Sequence, residues 1–340
     1  MVMQLPMIDI NRFTAHGSDD TSCKEVADAL IQYGAFLVKD DRISNKDNRE
    51  FLDLMTDYFG LPLQEKIQDV RRDLSYQVGA TPAYQEDPKC GTDTSCIDFI
   101  KTLDDNNKPT QWEGPDAKWR FFWRIGKCHS EKYPQLTAAP VIPKAFEKDW
   151  EMTMNKWGDK LVDTGMVVCS MAAIGLGYDK NAFFNLTQGG PHLLAPTGSD
   201  LTESKVGDVF AAFHYDLNFI SIHGKSDYSG LNIWTRDGKR ECVSVPEGCL
   251  LVQAGKQLEY VTGGKIVAGY HEVVVNEKTL QARDIAKRKS RPLWRVSSTV
   301  FLHAHSDKVL QPIENETPAY PPLFVGEFVQ NELRGIKLRK

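Results

Sequence analysis

Residues 209–223 read VFAAFHYDLNFISIH, an apolar run of strand length with His214 and Asp216 two positions apart inside it. Alternate residues of a strand project to one face, so these two side chains can reach a single metal ion without strain. A third ligand has to arrive from elsewhere in the chain. His271 is the best placed: it opens the β-rich run HEVVV soon after the tight turn Thr262-Gly263-Gly264-Lys265. Two imidazoles and one carboxylate are the facial triad of non-haem Fe(II) oxygenases, and three protein ligands leave three positions for other molecules. His223 and the pair His303/His305, which also sits at strand spacing, are equally visible, and spacing alone does not exclude them.

Working outward from that stretch, the texture stays β from about Gly190 to Ala304. GLNIWTR, CVSVP, CLLVQAG, LEYVTGG, VAGYHEVVV and RVSSTVFLHAH recur between turn signals, with Asp237-Gly238 and Gly263-Gly264 as hairpin dipeptides. Many short strands call for a sandwich or barrel, and a jelly roll is the natural closed solution. Before this, apolar residues recur at helical spacing over Thr21–Tyr33, over Asn45–Phe59 and through the long stretch Pro143–Gly175, while Pro6–Ile10 and Gly34–Lys39 look like short strands. Ser75–Trp123 is rich in Gly, Pro, Asp, Asn and aromatics and reads as an irregular pocket wall or lid. The tail from about Pro322 reads as a polar closing helix. The expected fold is therefore α+β: a double-stranded β-helix (jelly roll) core over 186–312, flanked by helices, with a mixed region over 1–185 and a helical tail over 313–340.

Composition narrows the function. The chain has 340 residues with a net charge of -5, which argues against a nucleic-acid partner. The start, MVMQLPMIDINRF, shows no signal-peptide pattern, and no apolar stretch approaches the roughly 20 residues needed to cross a bilayer. The odd number and scatter of the seven cysteines (Cys23, Cys90, Cys96, Cys128, Cys169, Cys242 and Cys249) fit reduced thiols, with Cys90 and Cys96 the one candidate redox pair. These features together suggest a cytoplasmic protein, a monomer or weak homo-oligomer, acting on a small molecule with no nucleic acid or membrane partner.

The ordered set of features resembles the isopenicillin N synthase-like branch of the 2-oxoglutarate/Fe(II) dioxygenases. HYDLNFISIH is similar to that family's HxD strand, residues 229–265 to its Gly-Leu strand and Gly-Gly turn, HEVVV to its distal-His strand, and RVSSTVF to its Arg-x-Ser strand. LPMIDI, GAFLVKDDRIS and FGLPLQEK resemble its amino-terminal domain. The resemblance implies Fe(2+), 2-oxoglutarate and O2, with His214, Asp216 and His271 as iron ligands and Arg295 and Ser297 holding the C5 carboxylate of 2-oxoglutarate. It implies hydroxylation, desaturation or oxidative cyclisation with release of succinate and CO2. A guanidinium and a hydroxyl two residues apart on a strand suit that carboxylate.

Two departures stand out. The connection from His271 to Arg295 is longer than usual for the family, and NEKTLQARDIAKRKSRPLW reads as a charged helical insertion. The stretch GPHLLAPTGSDL lacks the family's cosubstrate tyrosine, leaving His192, Leu194 or Thr197 to take its place. For the substrate, Tyr76, Phe99, Phe122, Arg124, Phe213 and Asn218 are candidate contacts. Arg120 or Arg124 would suit an acidic or amino-acid-derived metabolite. The rival readings are an Fe(II) oxidase of the isopenicillin N synthase kind that uses no 2-oxoglutarate, and a non-catalytic metal-binding jelly roll.

Overall fold

A computed structural model describes residues 5–314, 317–336 and 338. Two sheets form the heart of the molecule. The smaller runs Arg240–Cys242, Leu231–Trp234, Tyr270–Val274, Val209–Tyr215, with all neighbours antiparallel. The larger carries Cys249–Ala254, Ile220–His223, Thr299–Leu302 and Leu193–Leu194 as consecutive neighbours, and ends on Thr197–Asp200 and Trp294–Val296. Ala35–Lys39 and Trp119–Arg124, from the first half of the chain, are strands of this same sheet. The two sheets make the jelly roll.

Helices cover the larger sheet. Helix Asp20–Tyr33 starts where the Asp19 carboxylate accepts the Ser22 N–H, and it ends at Gly34 in the left-handed region at φ 69°. A Cβ at Gly34 would also strike the Arg236 guanidinium. Ser44 caps helix Asn45–Gly60 by accepting from the Lys46 and Asp47 amides. The long helix Trp150–Gly175 buries Trp150, Met154, Trp157, Leu161 and Val168, and packs on Asp20–Tyr33 and on the sheet. Burying each such side chain contributes about 1.5–3 kcal/mol. Its Trp157 indole donates to Ser298 Oγ at 2.6 Å, tying the helix to the segment that carries Arg295.

Several expectations need correction. The long helix begins at Trp150, because Pro143 only opens a single 3₁₀ turn over Lys144–Phe146. LEYVTGG is not a strand: Lys256–Val261 is a helix that buries Leu258, Tyr260 and Val261, and Gly263-Gly264 follow it with positive φ instead of closing a hairpin. Of CVSVP, only Cys242 stays in the ladder. The tail helix Val325–Gly335 is amphipathic, burying Val325, Phe328, Val329 and Leu333; residues 315, 316, 337, 339 and 340 of the expected tail lie outside the described residues. Against the expectation of reduced thiols, Cys90 is joined in a buried disulfide to Cys96, which sits in the first turn of the helix Thr94–Thr102. The charged insertion does form a helix, Glu277–Arg288, opened by a reciprocal Asn276/Thr279 capping box. Among the described residues no helix is long and apolar enough to cross a membrane.

Candidate metal centre and cavity

His214 lies in the strand Val209–Tyr215 and Asp216 directly follows it, and His271 enters from the adjacent strand Tyr270–Val274. Nε2 of His214 and Nε2 of His271 each lie 3.8 Å from Asp216 Oδ1. Among the described residues these three form the one group of His, Cys, Asp and Glu side chains whose donor atoms converge as metal ligands do, all within 4.8 Å of one another. His214 Nδ1 sits 2.6 Å from the Ala212 carbonyl, which fixes the proton there and leaves Nε2 as the free lone pair. The Ser221 hydroxyl donates to Asp216 Oδ2 and holds the carboxylate in place. Burial and the neighbouring His271 push His214 down to about 3, so it is neutral at ordinary pH. Burial opposes ionisation of Asp216, yet the two imidazoles and Ser221 bring it below the usual carboxylate range. This donor set fits a divalent iron: two imidazoles and a carboxylate, with His214 oriented by a carbonyl and Asp216 by a hydroxyl.

The three open into a cavity of about 460 Å³ lined from both sheets. Arg295, Ser297, Thr299 and His223 face it on the larger-sheet side. Arg295 is 5% exposed, and its Nε donates to the Ser229 carbonyl at 3.0 Å. Burial lowers it to about 10, which leaves it cationic. Ser297 Oγ accepts from the Thr197 amide at 2.8 Å and lies 2.9 Å from the Thr197 hydroxyl. Of the three residues considered for the missing tyrosine, Thr197 is the one at the cavity wall; Leu194 is in the core and His192 Nδ1 accepts from the His303 amide. His223 Nδ1 pairs with Thr299 Oγ1 at 3.0 Å, and His303 closes part of the wall beside Gln257.

Of the six substrate-contact candidates, Phe122 and Asn218 line the cavity, while Tyr76, Phe99, Phe213 and Arg124 do not. Strand alternation explains Phe213: with His214 facing the cavity, its neighbour faces away, and it stacks on Tyr270 with ring centroids 4.9 Å apart. Phe99 stacks on the same tyrosine at 4.7 Å, and Tyr76 is part of the main apolar core. Arg124 lies past the end of the cavity, near enough to His192 and His303 to depress both. Of the pair Arg120 and Arg124, the one at the cavity wall is Arg120.

The wall also holds charges that the sequence reading missed. Asp116 and Lys118 precede Arg120 and Phe122 at every second position, and all four line the cavity together with Glu86. Lys118 pairs with Asp116, and with Glu86 at 3.2 Å; Arg120 pairs with Glu86. The period-two pattern was present in the sequence, inside a segment whose glycines and prolines hid it.

Residues 5–137 match the family described as non-haem dioxygenase in morphine synthesis N-terminal, and residues 201–304 match the 2OG-Fe(II) oxygenase superfamily. A probable 2-oxoglutarate-dependent dioxygenase of Arabidopsis thaliana is 25% identical, over 81% of this chain and 81% of its own. The kihadalactone A synthase of Citrus sinensis is 22% identical, over 98% of this chain and 92% of its own. A full-length Neurospora crassa protein, solved in complex with α-KG, has a similar fold, with a TM-score of 0.75 at 18% identity, covering 97% of this chain and 95% of that one.

Proposed function

Because the chain belongs to the 2OG-Fe(II) oxygenase superfamily, we propose that His214, Asp216 and His271 hold its Fe(II) and that Arg295 and Ser297 receive the C5 carboxylate of 2-oxoglutarate. The protein is a 2-oxoglutarate-dependent Fe(II) dioxygenase. The observation that carries the residue assignment is the convergence of three metal-binding donors and a buried, cationic Arg295 on one cavity. Bound Fe(II) with 2-oxoglutarate and O2 supplies the oxidation of a substrate C–H bond, with release of succinate and CO2.

The chain's own residues do the positioning. The Ala212 carbonyl and Ser221 orient the ligands, Arg295 offers its guanidinium to the far end of the cosubstrate, and Thr197 fixes the Ser297 hydroxyl beside it. The cavity holds the substrate and excludes water. Its charged and aromatic wall suits a small acidic or amino-acid-derived metabolite. Hydroxylation, desaturation or ring closure follows from where the wall holds the reacting carbon. We place the enzyme in the cytoplasm, as a monomer or weak homo-oligomer.

The test is succinate formation by the purified protein supplied with Fe(II), 2-oxoglutarate and a panel of small acids and amino acids. Substrate-dependent succinate supports the reading. Substrate oxidation with O2 uptake and no succinate would favour the oxidase alternative.

A further inference from the structure

We propose that Arg120 and Glu86 read the head group of an α-amino acid, or of a derivative that keeps both its carboxylate and its amine, as the substrate of this oxygenase. The inference rests on the dioxygenase reading and specifies the substrate class of the same cavity.

Four charges stand on one wall with almost no access to bulk water. Side-chain exposure is 9% for Glu86, 6% for Asp116, 11% for Lys118 and 10% for Arg120. Taking such ions out of water is costly, and an apolar wall of the same shape would be at least as stable. Asp116 has a structural use, since its Oδ1 accepts the Ala212 N–H next to the metal-binding strand positions, and Lys118 neutralises it. Glu86 and Arg120 have no such use. They lie close enough to the triad for Glu86 to feel His214 and Arg120 to feel Asp216.

Hydrogen-bonding capacity decides what they can hold. A guanidinium carries five N–H donors. Arg120 sends one Nη1 proton toward Glu86 and Nη2 reaches Thr81 Oγ1 only at 3.5 Å, so with Nε buried the spare donors are on the two Nη atoms. The guanidinium also lies over the Phe122 ring, its central carbon 3.9 Å from the centroid, which fixes its plane. A flat, anchored cation with unused donors is a carboxylate receptor. Glu86 Oε1 is buried against Arg120, while Oε2 faces Lys118 at 3.2 Å and has a lone pair to spare. That capacity suits a substrate ammonium or N–H. Opposite charges side by side on the wall match the adjacent carboxylate and amine of an α-amino acid. Leu193, Ala195 and Phe301 supply an apolar surface for the rest of the molecule.

The test uses the full-length protein loaded anaerobically with Fe(II) and 2-oxoglutarate. The common L-α-amino acids are titrated in, each beside its amine-free acid and its methyl ester. Binding is read as a change in the iron–cosubstrate absorbance, and turnover as succinate. At least one amino acid is expected to bind, with both counterparts about tenfold weaker or more. Arg120→Gln should weaken that amino acid by a similar factor, and Arg120→Lys by less. Glu86→Gln should erase the preference over the amine-free acid. All three variants should keep wild-type affinity for 2-oxoglutarate, which also shows that they fold. If the absorbance forms but no amino acid is preferred over its counterparts, the head-group assignment is wrong. If wild-type protein never forms the absorbance, the oxygenase reading itself fails.

Discussion

His271 lies directly opposite His214 in the antiparallel ladder between Tyr270–Val274 and Val209–Tyr215, and their rings are 4.1 Å apart between centroids. Cross-strand neighbours on one face of a sheet are as close as any two side chains the fold can juxtapose. The metal centre is therefore a property of strand register. A one-residue slip of either strand would turn one imidazole to the other face.

His271→Ala should remove one of the three donors and leave the ladder intact. Metal content after dialysis should fall by about a hundredfold or more relative to wild type, and succinate formation with it. Ser221→Ala should be milder, about ten- to hundredfold, because it frees the Asp216 carboxylate without deleting a ligand. Full activity in His271→Ala would refute the ligand assignment.

Arg295→Ala deletes a buried cation whose Nε is anchored on the Ser229 backbone carbonyl, which leaves its other donors for a ligand. Loss of a charge-assisted grip costs about 1.5–3 kcal/mol, or about ten- to hundredfold in 2-oxoglutarate affinity. Calorimetric titration of 2-oxoglutarate into the Fe(II) protein measures this directly. An unchanged affinity would place the carboxylate elsewhere.

Leu161 is fully buried on the long helix, facing the core under the larger sheet. Leu161→Ala should cost about 2–5 kcal/mol by leaving a cavity that neighbours fill only in part. Urea unfolding should show a lower midpoint with an unchanged slope.

What the sequence made legible follows the strength of each local signal. The HxD strand was visible through period-two alternation, but the choice of His271 and Arg295 rested on the family resemblance, since spacing alone left His223 and His303/His305 open. Helices such as Asp20–Tyr33 were visible through their apolar spacing. The misreadings have equally physical causes. LEYVTGG has strand-like composition, and its residues Leu258, Glu259, Tyr260 and Val261 are all buried, so no period in the stretch tells helix from strand. Phe213 was proposed for the pocket although its neighbour His214 already claimed that face. Asp116 and Lys118 were missed because they lie in the irregular segment just before the strand Trp119–Arg124, where no hydrophobic period marks which face they take, and only the cavity reveals that they share it with Arg120. Cys90 and Cys96 stood out in the sequence as a candidate redox pair, but only the fold joins them, since sequence separation alone does not pair two thiols.

His192 gives a pH-dependent prediction. It is 5% exposed, and burial, assisted by Arg124, lowers it to about 4. Its Nδ1 accepts the His303 N–H, a bond the neutral ring can make and the protonated ring cannot. The folded state therefore resists the proton that the unfolded chain accepts near its ordinary pKa of about 6.5. A depressed folded pKa means that the stability from this ring is fully present above about pH 6.5 and lost as pH falls toward 4. The size is on the order of a few kcal/mol. His192→Gln keeps an acceptor and removes the titration, so its destabilisation relative to wild type should shrink or reverse between neutral pH and about 4. Urea midpoints of both proteins across that range give the difference, in which the carboxylates common to both cancel. Parallel curves would show that burial does not hold this ring neutral.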